Sequence, residues 1–171
     1  MFGIAFALVA SEACEASTRA RQVFMRTSGH SCRDYSKEMV GRLKCPGPAD
    51  FFAAFLDEGN LVEVAFGRAA QPFDRSRSGA SWRGSGKVFG DVMEWRVDGT
   101  GIPVAAILRT WEVGNDEKTI QMLRVFAINP DGSCQYAAVN AAASGANRVA
   151  ASEAERASRW TCVGDRNDPK H

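Results

Sequence analysis

Charge of one sign is what this chain most conspicuously lacks. Twenty-one Lys and Arg stand against 20 Asp and Glu, which leaves a net +1. No global field therefore recruits nucleic acid or an acidic membrane, and any electrostatic partner must use a local patch. Histidine is nearly missing, with His30 in the N-terminal part and His171 at the end. No G-x-S-x-G, H-E-x-x-H or paired-carboxylate motif occurs, so the common hydrolase signatures are excluded. Long apolar runs are missing too. The longest, Phe2 to Ala10, falls short of the roughly 20 residues that span a bilayer.

What is present is ordinary globular material: 171 residues, 45% hydrophobic and 24% charged. That suits one domain with a single core and argues against disorder. The start, "MFGIAFALVASEACEAS", has the apolar run and small residues of a secretory signal, with Ser11/Ala13 or Cys14/Ala16 as cleavage positions. No Lys or Arg precedes the run, which departs from the pattern. The expected organisation is a signal over 1–16, one domain over 17–162 and a disordered tail over 163–171. Lipidation at Cys14 is disfavoured by Glu12 at a position that wants a small apolar residue.

Five cysteines fall at Cys14, Cys32, Cys45, Cys134 and Cys162. Cleavage after Ala16 leaves an even four, as an oxidising compartment favours. Four cysteines permit three pairings. The expected one is sequence-local, Cys32 with Cys45 and Cys134 with Cys162. Free buried thiols are the alternative, because no C-x-x-C or histidine partner offers zinc spacing. No metal or cofactor is expected.

The second half carries the clearest pattern. "VMEWRV", "PVAAILRTWEV", "TIQMLRVFAI" and "SCQYAAVNA" read as strands, separated by the turn signals "DGTGI", "GNDEK" and "NPDG". Upstream, "DEGN" reads as a hairpin between Phe51–Leu56 and Leu61–Phe66, although a helical turn over 51–56 fits as well. Thr18 to Arg42 looks irregular, and "RAAQPFDRSRSGASWRGSGK" reads as a long loop of the functional or mobile kind. "SGANRVAASEAERASRW" changes to helical period, with Ala146, Val149, Ala150, Ala154, Ala157 and Trp160 on one face. The fold expected is α+β: an antiparallel β-meander sheet of about six strands, with a disulfide-stapled C-terminal helix packed on it.

Binding candidates are cationic. The Gly/Ser-rich stretch holds Arg75, Arg77, Arg83 and Lys87 with Trp82 interleaved, which suits an anionic polymer or an acidic protein through bidentate arginine contacts. An ordinary solvated loop is the plainer alternative. Gly84-Ser85-Gly86-Lys87 fails as a phosphate loop, because Ser81 and Val88 stand where glycine and Ser/Thr are required. Arg96, Arg109 and Arg124 interrupt apolar strands, so each must face water or meet a carboxylate, with Asp91, Glu94 and Glu112 nearby. They would line an anion-binding cleft or form cross-strand ion pairs. His30 beside Cys32 is a Cys–His pair only if Cys32 is a free thiol.

The segments "CPGPADFFAAFLDEGNLVEVAFG", "EWRVDGTGIPVAAILRTW" and "SCQYAAVNAAASGANRVAASEAERASRWTC" together resemble a group of small secreted proteins of alphaproteobacteria without assigned activity. The resemblance implies periplasmic export and paired cysteines, and it implies no mechanism. The function expected is therefore a non-enzymatic binding or cell-envelope-associated module, periplasmic or secreted. Its partner would be an anionic envelope polymer or an acidic protein, with no nucleic acid and no membrane span. The rivals are an inhibitor of an envelope hydrolase such as lysozyme and, third, a hydrolase of unknown type.

Overall fold

A computed structural model describes residues 20–36, 41–68, 78–130 and 132–162. The proposed signal and tail, with Arg75 and Arg77, lie outside the described residues. Nine antiparallel strands form the sheet: β1 (Arg21–Arg26), β2 (Arg33–Asp34), β3 (Gly41–Pro46), β4 (Phe51–Asp57), β5 (Leu61–Arg68), β6 (Ser78–Val97), β7 (Pro103–Val113), β8 (Thr119–Asn129) and β9 (Gly132–Asn140). They follow a meander from β2 to β9, and β1 joins the edge of β6. Among the described residues the one α-helix, α1 (Ala146–Ala157), follows β9.

The meander, the C-terminal helix and both local disulfides agree with expectation. The estimate of about six strands does not. The three extra strands are β1, β2 and β3, and β6 is longer than expected. The stretch from Thr18 to Arg42 contains β1 and β2 and reaches the start of β3, and the Gly/Ser/Arg stretch supplies the first half of β6 from Ser78 onward. The Phe51–Leu56 ambiguity resolves as strand, buried on both faces.

β6 is the corner of the fold. Its first half pairs with β5, from Ser78 opposite Ala65 to Arg83 opposite Leu61. Its second half pairs with β7 on one edge and β1 on the other. A strand that serves two sheet halves must bend, and bulges supply the bend. The curl brings β9 back towards β5 and β6. At Gly79 the halves approach so closely that a Cβ would lie 3.1 Å from the side chains of Phe126 and Ser133.

Between the halves sits the main core, including Phe55, Val64, Phe66, Trp95, Leu108 and Phe126. Phe66 meets Trp95 edge-on at 5.5 Å between centroids. Gly47 admits the Trp95 ring, since a Cβ there would fall 2.8 Å from it. On the outer face of β7, β8 and β9 lies the second core, where α1 covers Ala105, Ile107, Leu123, Val125 and Ala127. The helix contacts are Ala146, Ala150, Ala154 and Ala157. Val149 and Trp160, expected on that face, are 43% and 55% exposed. The true buried stripe is alanine alone, and it lets the helix sit close to the sheet.

Four buried alanine methyls, at about 0.8 kcal/mol each, contribute about 3 kcal/mol, a weak hold for a helix. Other links supplement it. Cys134 is bonded to Cys162 just past the helix. Asn129 clamps the same segment, donating through Nδ2 to the Trp160 carbonyl at 3.1 Å and accepting at Oδ1 from the Cys162 amide at 2.6 Å. At the other end of the chain Cys32 is bonded to Cys45, joining the β2 region to β3.

Candidate functional site

The strand arginines separate into two groups by what they meet. Arg124, on the inner face of β8, is engaged by Glu112 of β7 in a two-pronged pair: Nε donates to Oε1 and Nη2 to Oε2, both at 2.7 Å. Its Nη1 donates to Gln135, and Thr110 donates to the same Glu112. Trp82, buried in the core, places its ring 5.3 Å from the guanidinium and donates Nε1–H to the Val88 carbonyl at 3.2 Å. Arg96 is only 2% exposed and lies beneath the flank of α1. Glu94 Oε1 stands 2.6 Å from its Nη2, and Glu155 Oε1 of the helix 3.4 Å from its Nη1. Among the described residues the Arg96 Nε has no hydrogen-bond partner. Both arginines are thus spent internally. These pairs are partly shielded from solvent, with Glu94 19% and Glu155 23% exposed and Arg124 and Glu112 11% each.

Arg109 and Lys87 behave differently, and the register of β6 explains why. Gly84 stands opposite Glu112 and Phe89 opposite Thr110, so Ser85 to Val88 bulge out against Trp111 alone. Phe89 opposite Thr110 is followed by Met93 opposite Leu108, so Gly90, Asp91 and Val92 stand against Arg109 alone. Gly86, at φ 62°, takes the left-handed backbone that the first bulge requires. Bulges re-aim side chains. Here the first carries the Lys87 ammonium to 5.3 Å from the centre of the Trp111 ring, a cation–π contact. Lys87 also donates to Asp91 at 2.6 Å, which holds that carboxyl below its ordinary range.

Strand alternation puts Trp111 and Arg109 on the same outer face as Ala105 and Ile107, but beyond the part that α1 covers. Arg109 donates to Gln121 at 3.2 Å. Across β6, Val92 pairs with Arg26, and Phe24 of β1 pairs with Glu94. Phe24 is 62% and Val92 46% exposed. The result is an open flank beside α1 on which Arg26, Lys87 and Arg109 surround Phe24, Val92 and Trp111. Arg26 and Phe24 were missed in the sequence, because β1 lies in a stretch without a strand signature, and Val92 was missed because only β1 shows which edge of its strand it faces. Arg83 is exposed and pairs across to Leu61 in the half of β6 that faces β5.

Cys32 is oxidised in its bond to Cys45, which removes the thiol that a His30–Cys32 pair would need. Among the described residues no group of three or more His, Cys, Asp or Glu is placed to hold a metal ion, and no helix is long and apolar enough to cross a membrane.

The chain matches no protein-family model, no curated protein and no solved structure.

Proposed function

We propose that this chain is an exported, non-enzymatic binding domain of the cell envelope, and that it meets an anionic partner through the flank built on Lys87, Trp111 and Arg109. The observation that carries the reading is the pair of successive bulges in β6 opposite Trp111 and Arg109. Bulges concentrate where a strand must turn side chains towards a site, and these two raise a lysine over a half-buried tryptophan next to an arginine. Arginine and aromatic side chains are also the residues that dominate recognition surfaces.

Export is supported by two disulfides in a chain this small, since such bonds persist in oxidising compartments. The leader-like segment over 1–16 and the resemblance to small secreted alphaproteobacterial proteins agree with it. Titrating isotope-labelled protein with polygalacturonate and with poly-L-glutamate, by amide NMR, tests the binding reading. Shifts clustered at residues 24–26, 85–92, 109–111 and 121, and lost in K87E/R109E, are expected. Shifts scattered elsewhere, or none with either polyanion, would contradict it.

A further inference from the structure

We infer that the partner of this flank is an acidic polypeptide segment of another protein, lying beside α1 across β1, β6 and β7, with an apolar side chain seated on Phe24 and Val92. The inference rests on the anion-binding reading above and names its partner. A sheet face ordinarily needs a second layer over it. α1 supplies that layer over β7, β8 and β9, and among the described residues nothing covers Phe24 and Val92, which are 62% and 46% exposed. They are neighbours, on adjacent rows of the β1–β6 pair.

The charge around them is mixed, with cations in excess. Arg26 stands directly across from Val92, Arg109 flanks it on the β7 side, and Lys87 lies over Trp111. Of the carboxylates nearby, Asp91 is held by Lys87, and Glu94 by Arg96. An acidic segment complements this arrangement, and like-charged basic segments are repelled.

Shape and chemistry choose among anionic partners. α1 stands beside the flank as a wall about one helix diameter high, roughly 10 Å. A flat lipid surface resting on that wall does not reach Phe24 on the floor. A polyuronate chain brings carboxylates but no apolar group to cover Phe24 and Val92. A polypeptide brings both.

Four probes test this at low ionic strength by calorimetry: poly-L-glutamate, the random copolymer poly(Glu,Tyr), polygalacturonate, and phosphatidylglycerol vesicles. The expected result is that poly(Glu,Tyr) binds about tenfold more tightly than poly-L-glutamate, as burial of one aromatic contact allows. Phe24→Ser should erase that preference, bringing poly(Glu,Tyr) to the affinity of poly-L-glutamate. The pair R26E/R109E should weaken both polypeptides about tenfold. The pair R33E/R42E, with the same change in net charge on β2 and β3, should shift them by no more than about twofold. Equal binding of polygalacturonate and poly(Glu,Tyr), or a preference untouched by Phe24→Ser, overturns the polypeptide assignment while anion binding stands. Vesicle binding abolished by Phe24→Ser, without a preference for poly(Glu,Tyr), replaces the polypeptide with a membrane surface and also overturns it. Indifference of every probe to R26E/R109E overturns both this assignment and the anion-binding flank.

Discussion

Arg124 of β8 and Glu112 of β7 meet diagonally, from positions opposite Leu108 and Ile120, in a two-pronged pair with both side chains about one-tenth exposed. Removing one partner from such a pair leaves the other charge unmatched, which typically costs more than the pair itself contributes. Glu112→Gln should therefore lower stability by about 3 kcal/mol in urea unfolding. The double replacement Glu112→Leu with Arg124→Met should recover most of that loss, because no buried charge then remains. Equal destabilisation by the single and double variants would mean that the pair is not the source of the effect.

Arg96 answers two carboxylates, Glu94 from its own strand and Glu155 from α1. Arg96→Met retains the packing of the stem and strands both glutamates near the helix. The expected outcome is a loss of about 2–4 kcal/mol, concentrated in hydrogen exchange of the α1 amides. Loss spread evenly over the strands would show that Arg96 supports the sheet and not the helix.

The bond between Cys134 and Cys162 spans 28 residues of sequence. On the loop-entropy account it contributes about 3–4 kcal/mol, comparable to the alanine face that α1 buries. The C134S/C162S variant should keep the strand amides protected while α1 exchanges markedly faster. C32S/C45S, closing a shorter separation of 13, should leave α1 protection near wild type. The reverse pattern would contradict the assignment of the long-range bond as the helix fastener.

Asp98 shapes the turn between β6 and β7. Its Oδ1 accepts from the Thr100 hydroxyl at 2.7 Å, the Thr100 amide at 2.8 Å and the Ile102 amide at 3.0 Å. These bonds, led by the Thr100 hydroxyl, hold the Asp98 carboxyl below its ordinary range. A folded value below the unfolded one means the group stabilises the fold above its unfolded pKa and loses that contribution as pH falls through the folded pKa. Carboxyl NMR should show Asp98 titrating below a model aspartate, and Asp98→Asn should flatten the acid limb of the stability profile. An Asp98 titration at the model position would remove this account of the turn.

The turns were legible because turn chemistry is local. "DEGN", "DGTGI", "GNDEK" and "NPDG" each state their own geometry within a few residues, and the strands of the second half followed from them. β6 was obscured because Ser78 to Lys87 is rich in Gly, Ser and Arg, a composition that reads as loop until β5 pairs with it. The arginine partners were illegible for a different reason. Glu112 was a candidate by nearness, but Glu155 lies 59 residues from Arg96, and only the packing of α1 brings them together. Val149 and Trp160 were placed on the wrong helical side because an all-alanine stripe leaves the larger side chains as the more visible signal. Lys87 and Arg109 were singled out by charge alone. What unites them is a bulge register that no periodicity in the sequence announces.

Mass spectrometry of unreduced protein recovered from the envelope of its own host distinguishes export with two disulfides from a reduced, unprocessed chain. The account predicts a chain lacking residues 1–16, lighter by the four thiol hydrogens that the Cys32–Cys45 and Cys134–Cys162 bonds remove. A full-length chain carrying five free thiols would contradict it.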